Sequence, residues 1–130
     1  MNLLDENYPD DQRRQLLQWQ VPHRQIGRNV AFSGIKDQDI IPLLHRLRWV
    51  TFFTQDEGFF QSALCHLAYC LVWLDVRADD AAYYTRLFLK HPLTNANAKR
   101  MGKVVRAHPA GIQFWQRNRA KVQGAVWQKK

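Results

Sequence analysis

Two strand-like runs in the middle of the chain, residues 49–54 and 70–76, restrict its fold most strongly. Both are rich in β-branched and aromatic residues, and neither alternates regularly with polar ones. That pattern is typical of strands buried on both faces of a parallel sheet. Segments with helical apolar spacing separate such runs along the first ninety residues. The alternation predicts an α/β domain in three layers, with a mostly parallel central sheet and right-handed crossovers.

The predicted elements follow from caps, breakers and apolar spacing. Before Pro92, the further predicted strands are 2–5 and 23–26. The predicted helices in this part are 9–20, 37–47 and 79–91, with a short helix at 59–66, and Pro92 ends the helix at 79–91. Pro42 lies inside the second helix, so that helix either starts late or kinks. Thereafter we expect a short helix at 94–102, strands at 103–106 and 112–115 paired across the turn 108–111, and a final helix at 118–128.

The charge of the chain is divided along its length. The sequence has 130 residues and a formal net charge of +8, and its eleven acids all lie between Asp5 and Asp80. Residues 1–80 carry eight Lys or Arg, which gives a balance of −3, whereas residues 81–130 carry eleven and no acid, a balance of +11. An acid-free basic segment is typical of contact with a polyanion, most often nucleic acid, and equally of a solvated surface.

Other function classes are disfavoured by what the sequence contains. Two cysteines, Cys65 and Cys70, exclude a disulfide scaffold and a four-cysteine zinc site, and both are expected in the core. The apolar runs are shorter than a membrane helix requires, and the acidic N-terminus does not resemble a signal peptide. We therefore expect a cytoplasmic protein without a membrane partner. The histidines, serines and glycines do not match triad, nucleophile-elbow or phosphate-loop patterns.

Four aspartates are placed where an α/β sheet forms its active site. Asp5, Asp56 and Asp75 each follow a predicted strand, and Asp37 starts the helix after the second strand. Parallel strands present their carboxyl ends at one edge, so these side chains are predicted to converge. Clustered carboxylates repel one another and suit a shared Mg²⁺ or Mn²⁺ ion, which can activate water against a phosphodiester. The alternative is that Asp37 caps a helix and Asp75 belongs to a turn.

Three phrases of the sequence resemble one protein family. Residues 3–9, Leu-Leu-Asp-Glu-Asn-Tyr-Pro, look like the opening "LLDENLP" of small bacterial PIN-like proteins, which are often toxin components. Residues 34–41 are similar to the "G-x-x-D-x-E-I" helix start of that family, and residues 54–59 to its "T-x-D-x-D-F" phrase after a hydrophobic strand. The three phrases occur in the family's order and together cover residues 2–60.

The resemblance implies a PIN-like fold over residues 1–92, with residues 93–130 as a basic C-terminal extension packed on the same domain. It also implies a nuclease that acts on RNA and uses Mg²⁺ or Mn²⁺ as its cofactor. The protein partner that it implies is an antitoxin. By position, Asp5, Asp37 and Asp56 are the catalytic and metal-binding acids, with Asp75 as a further ligand. The sequence departs from the family at Gly58, where an acid is usual, so Glu57 or Asp75 would have to replace it.

The basic segment combines cations with aromatic residues. Cations neutralise phosphates and aromatic rings stack on unpaired bases. The predicted nucleic-acid-binding residues are Lys99, Arg100, Lys103, Arg106, Arg117, Arg119 and Lys121. The neighbouring Phe114, Trp115 and Trp127 are interpreted as core or oligomer contacts rather than base-stacking groups. Two hypotheses follow: a PIN-like ribonuclease, or a non-catalytic module on the same scaffold that binds RNA, an antitoxin or a second copy of the chain.

Overall fold

The computed structural model describes residues 1–127, which form a seven-stranded mixed sheet with helices on both faces. The strands are β1 (Asn2–Leu4), β2 (Arg24–Gln25), β3 (Val50–Thr54), β4 (Tyr69–Leu74), β5 (Lys103–His108), β6 (Gly111–Gln116) and β7 (Gln123–Val126). The helices are α1 (Asp10–Gln18), α2 (Asp37–Leu47), α3 (Ala81–Lys90) and α4 (Asn97–Arg100). Short 3-10 turns occupy Glu57–Phe59, Ser62–Leu64 and Ala78–Asp80.

The strand order is β2-β1-β3-β4-β5-β6-β7. Strands β1 to β5 are parallel, and β6 and β7 extend the sheet in antiparallel pairing. We call the rim beyond Leu4 and Thr54 the carboxyl edge, and the opposite rim, beside Val50 and Tyr69, the amino edge. The chain moves outward from β1 to β2 and then returns past β1 to β3. Ligand sites of open α/β sheets lie beyond the carboxyl ends of the strands at such a reversal.

Alternating side chains of the central strands form two cores. Phe53 packs with Leu16 and Phe88 under α1 and α3. Its neighbour Phe52 packs on the other face with Leu44 under α2. All of these side chains are fully buried. The expectation of an α/β domain whose central strands are buried on both faces is therefore confirmed, and helices on both faces make three layers.

Several local predictions are confirmed and two are wrong. The hairpin of β5 and β6 is confirmed, and α2 runs from Asp37 through Pro42 without a late start. The helix predicted at 59–66 is instead a pair of 3-10 turns. Its apolar anchors, Phe59 and Phe60, are adjacent and both contact the sheet, with Phe59 5.4 Å from Phe52 between ring centroids. One face of an α-helix does not present adjacent residues in this way.

The helix predicted at 118–128 is also wrong within the described residues, and residue 128 lies outside them. β7 is an antiparallel strand that satisfies the backbone groups of β6. Ala125 and Trp127, two residues apart, pack against the same core, which is strand rather than helix spacing. Among residues 1–127, the structure contains no helix long and apolar enough to cross a membrane.

Candidate functional site

The acids of the chain gather at the carboxyl edge. Asp5, Asp56 and Asp75 follow β1, β3 and β4, as their positions in the sequence predict. The helices of parallel crossovers start near the strand ends that precede them, so their first turns lie at the same edge. The remaining acids are found in those turns and loops: Glu6, Asp10, Asp11, Asp37, Asp39, Glu57, Asp79 and Asp80.

Thr54 joins the ends of β1 and β3 at the reversal of strand order. Its buried hydroxyl donates to the Oδ2 of Asp5 at 2.7 Å. The same hydroxyl oxygen accepts the backbone N–H of Asp56 at 3.1 Å. The backbone N–H of Asp5 donates to the carbonyl of Phe53 at 2.9 Å, which fixes the start of the loop after β1. One threonine therefore positions the carboxylate of Asp5 and the turn that carries Asp56.

Asp5 is the acid at this edge whose pKa is raised by its surroundings. Partial burial raises the pKa of Asp5, while hydrogen bonds from Thr54 and from backbone N–H groups lower it. The negative charge of Asp37, in the first turn of α2, is the smallest of the causes and also raises the pKa of Asp5. A carboxylate in this setting favours a bound proton or a nearby cation.

The other two predicted ligands have protein partners. The Oδ1 of Asp56 accepts the backbone N–H of Gly58 at 2.9 Å and caps a 3-10 turn. A Cβ at position 58 would lie 3.1 Å from that oxygen, so an acid there would stand beside Asp56. Asp75 forms an ion pair with Arg106, with 2.7 Å between Oδ2 and Nη2 and 2.8 Å to Nε. The structure thus places Asp5, Asp37 and Asp56 at the carboxyl edge, while Asp75 is paired with Arg106.

The donor set agrees with a hard cation only in part. Carboxylate oxygens suit Mg²⁺ or Mn²⁺, and Mg²⁺ is commonly held by one or two carboxylates together with waters and substrate phosphates. Asp5 and Asp37, which lie at the same edge, are the candidates for such a pair. Within residues 1–127, however, no three His, Cys, Asp or Glu side chains are arranged to hold a metal ion. The residues therefore fit an open, two-carboxylate site and not a closed cage.

Glu6, which the sequence offers only as a substitute ligand beside Asp5 or as a surface acid, is a positioning residue in the structure. Its carboxylate accepts the hydroxyl of Ser33 and the backbone N–H of Gly34, the latter at 2.8 Å, and the bond from Ser33 is the main reason that its pKa is lowered. These bonds hold the loop that leads into α2 and Asp37. Gly27 has a φ of +84°, and a Cβ there would lie 2.9 Å from the Oε2 of Glu6. The only sequence signal was the position of Glu6 directly after Asp5.

Gln25, at the end of β2, also supports this site. Its side-chain amide donates to the carbonyl of Asp5 at 3.1 Å and to that of Glu6 at 3.3 Å. The side chain is buried, so these bonds replace the solvent that the two carbonyls would otherwise contact. Sequence reasoning missed Gln25 because an isolated polar residue in a short strand carries no distinguishing pattern.

Three of the predicted nucleic-acid-binding cations serve the fold. Arg100 donates to the Thr51 hydroxyl at 3.1 Å and to the Thr94 carbonyl at 2.7 Å. Lys103 is buried and donates to the carbonyl of Lys99. Arg106 contacts Asp75 and also donates to Gln113 at 2.8 Å. The other four, Lys99, Arg117, Arg119 and Lys121, are exposed.

All of the predicted cations except Arg106 lie at the amino edge, away from Asp5. Residues 99–103 precede or begin β5, and residues 117–121 follow β6, whose direction is reversed. The aromatic residues of this segment are structural as interpreted, since Phe114 is buried in the core and the Trp127 indole donates to the His108 carbonyl at 2.7 Å. The acidic site and most of the basic residues are therefore at opposite ends of the sheet.

Comparisons with known proteins add no relative to this geometry. No protein-family model matches the chain, and neither a curated protein nor a solved structure is significantly similar to it. The resemblance to PIN-like proteins therefore depends on the three sequence phrases alone. The functional interpretation depends on the two edges of the sheet.

Proposed function

We propose that this protein is a PIN-like, Mg²⁺- or Mn²⁺-dependent ribonuclease and the toxin of a toxin–antitoxin pair, with its active site around Asp5. One observation carries the proposal: at the reversal of strand order, the buried hydroxyl of Thr54 donates to the carboxylate of Asp5 at 2.7 Å, at the edge where the first turn of α2 also places Asp37. A carboxylate oriented at that position, with further acids at the same edge, suits the binding of a divalent cation.

Each residue of the site has a distinct role in this proposal. Asp5 and Asp37 would hold the cation, and the adjacent Asp56 would provide a further oxygen. The bound ion supplies an acidified water and stabilises charge on the scissile phosphodiester. Thr54 fixes the rotamer of Asp5 through its hydrogen bond. Glu6 fixes the loop before α2 and thereby the position of Asp37.

The test compares Asp5→Asn with a matched acid substitution, Asp79→Asn, at the same edge. With Mn²⁺ and a labelled single-stranded RNA, we expect Asp5→Asn to lose at least about a hundredfold in cleavage rate, because electrostatic groups at reacting centres contribute that much. Asp79 is exposed and paired only with Arg77, so Asp79→Asn should cleave like the wild type.

Metal binding is measured separately from cleavage. Mn²⁺ should raise the Tm of the wild type and of Asp79→Asn but not of Asp5→Asn, because a ligand stabilises the folded state that binds it. Equal cleavage by Asp5→Asn and the wild type would contradict the proposal. Absence of cleavage together with absence of a Mn²⁺ effect on Tm would also contradict it.

The second candidate is a non-catalytic module that binds RNA or a protein partner on the same scaffold. Two observations favour it: Gly58 stands where an acid is usual, and residues 1–127 contain no three-acid metal group. It predicts salt-sensitive RNA binding that survives Asp56→Asn but weakens when Arg117 and Arg119 are replaced. RNA cleavage by the purified wild type that is lost in Asp5→Asn would exclude it.

A further inference from the structure

The amino edge carries positive charge that the protein does not neutralise. The five ion pairs among residues 1–127 involve Asp10, Asp75 and Asp79, all at the carboxyl edge. The cations at the other end of the sheet have no acid partner within the described residues. We define the amino-edge surface by six residues: His45, Arg48, Trp49, His66, Arg117 and Arg119.

Backbone hydrogen bonds bring these residues together from three parts of the chain. The Trp49 N–H donates to the Ala68 carbonyl at 2.6 Å, and the Arg117 N–H donates to the Gly102 carbonyl at 3.0 Å. Gly102 in turn donates to Tyr69, which begins β4. The imidazole rings of His45 and His66 lie 4.3 Å apart between centroids. The surface is therefore continuous across the ends of β3, β4 and β6.

Charges from separate elements converge on His66. Desolvation lowers the pKa of His66, and the nearby charges of His45, Arg117 and Arg48 lower it further. These groups come from α2, from the turn after α2 and from the turn after β6. An anion placed among them would relieve a mutual repulsion that the fold leaves uncompensated.

An exposed tryptophan lies on the same surface. Trp49 is 55% exposed and Leu67 beside it is 50% exposed, and together with Asn97, Ala98 and Met101 they line a groove of about 490 Å³. Arg48 and Trp49 have φ values of +56° and +57°, a conformation that disfavours non-glycine residues. The fold thus holds the indole outward in an unfavourable backbone conformation. A groove of this size accommodates a nucleobase against the ring.

We propose that the amino-edge surface binds single-stranded RNA, with phosphates at Arg48, Arg117 and Arg119 and an unpaired base against Trp49. Cations beside an exposed aromatic ring and an apolar groove match the phosphate and base chemistry of a single strand. An acidic protein segment would use the cations but would leave the indole without a specific partner. This inference rests on the proposed function, which supplies RNA as the partner. It extends that function by naming the surface that holds the RNA.

The location has a consequence for how RNA meets the carboxyl edge. Strands of five to six residues separate the two edges by about 15–20 Å, at roughly 3.3 Å per residue. RNA held at the amino edge must pass along the sheet or one of its sides to reach Asp5. Binding and cleavage are therefore separable by substitution.

The experiment measures binding of a fluorescein-labelled twelve-nucleotide oligouridylate by anisotropy, with the full chain and with EDTA present. The double variant Arg117→Gln/Arg119→Gln should raise Kd roughly tenfold or more at low salt. It should also reduce the slope of log K against log salt by about 1.4, since each phosphate contact contributes about 0.7 for single strands. The matched control is Arg14→Gln/Arg77→Gln, which removes two exposed cations at the carboxyl edge.

A second variant tests the base contact. In Trp49→Asn the indole is lost, while asparagine tolerates the left-handed backbone. We expect roughly tenfold weaker binding of the single strand, the scale of one stacked base, and unchanged binding of duplex RNA of equal length. If the binding of single-stranded DNA also depends on Trp49, the result would support the same surface. It would also show that the surface does not distinguish ribose from deoxyribose. Circular dichroism verifies that each variant folds.

Three outcomes would overturn the assignment. In the first, the control double variant weakens binding as much as Arg117→Gln/Arg119→Gln, which would indicate general charge attraction. In the second, polyglutamate of equal charge displaces the RNA as effectively as unlabelled RNA, which would indicate an acidic protein partner. In the third, the wild type does not bind the RNA while Asp5-dependent cleavage persists, which would reject this surface and leave the proposed function intact. Conversely, amino-edge-dependent binding without cleavage supports the surface and rejects the nuclease.

Discussion

The two edges of the sheet differ in how their charges are satisfied. At the carboxyl edge, acids receive hydrogen bonds from Thr54, Ser33 and backbone N–H groups, and Asp10 and Asp75 form ion pairs. At the amino edge, Arg48 and Arg117 surround two histidines without an acid partner among residues 1–127. The ion pairs among residues 1–127 are therefore confined to one edge, whereas the cations of the other edge are left to solvent or to an external anion.

Part of this polarity follows from the fold itself. Helix N-termini favour acids and helix C-termini favour cations because of the helix dipole. In α2, Asp37 and Asp39 lie in the first turn and His45 and Arg46 in the last. The dipole does not account for Arg117 and Arg119, which follow a strand. These two residues therefore distinguish a binding surface from ordinary helix electrostatics.

The largest effect expected on the carboxyl edge is that of Thr54→Val. It removes the donor to the partly buried Asp5 carboxylate and the acceptor for the Asp56 N–H, which costs about 2 kcal/mol of unfolding free energy at pH 7. The cost should fall as the pH is lowered and Asp5 becomes protonated. Denaturant unfolding from pH 7 to pH 4 measures this change.

Thr51→Val is the matched control, because Thr51 is equally buried in the same strand but accepts from Arg100 near the amino edge. Its cost should be about 1 kcal/mol and independent of pH in this range. Parallel pH dependence of the two variants would contradict the role given to Asp5.

A smaller effect, opposite in sign, is expected from Asp5→Asn without metal. Because the pKa of Asp5 is raised in the folded state, its contribution to stability is present at acidic pH and is lost as the pH rises through that pKa. The substitution should therefore raise the Tm at pH 7 by a few degrees, or about 1 kcal/mol in a domain of this size. The gain should shrink towards pH 4, and the exposed Asp79→Asn should change the Tm little at pH 7. A Tm below that of the wild type at pH 7 would show that the Asp5 charge stabilises the fold.

The smallest effect concerns the amino edge. The lowered pKa of His66 means that the unfolded chain binds the proton more readily, so stability should decline as the pH falls from 7 through the range where histidine titrates. His66→Gln should flatten that decline by less than about 0.5 kcal/mol, because the ring is exposed and solvent screens its charge. An unaltered slope in His66→Gln would show that neither desolvation nor the surrounding charges lower the pKa of His66.

The predictable parts of the fold are those encoded in local patterns. The apolar run 49–54 predicted a strand buried on both faces, and the turn at 108–111 predicted the β5–β6 hairpin. The helix predicted at 118–128 was wrong, because the local sequence pattern does not show that the outer edge of β6 is available to pair with β7. The helix predicted at 59–66 was wrong because Phe59 and Phe60, which are consecutive, both pack against the sheet. That packing is a tertiary contact and cannot be predicted from the local pattern.

The sequence by itself determined that an acidic segment precedes a basic one, and that several acids follow strands and meet at one edge. Tertiary structure decided which charges are available. Arg106 belongs to the basic segment but pairs with Asp75, while Arg48 belongs to the acidic one but joins the amino-edge surface. Charge along a chain is a property of composition, whereas neutralisation depends on distances between residues that are far apart in sequence. Only the packed sheet sets those distances.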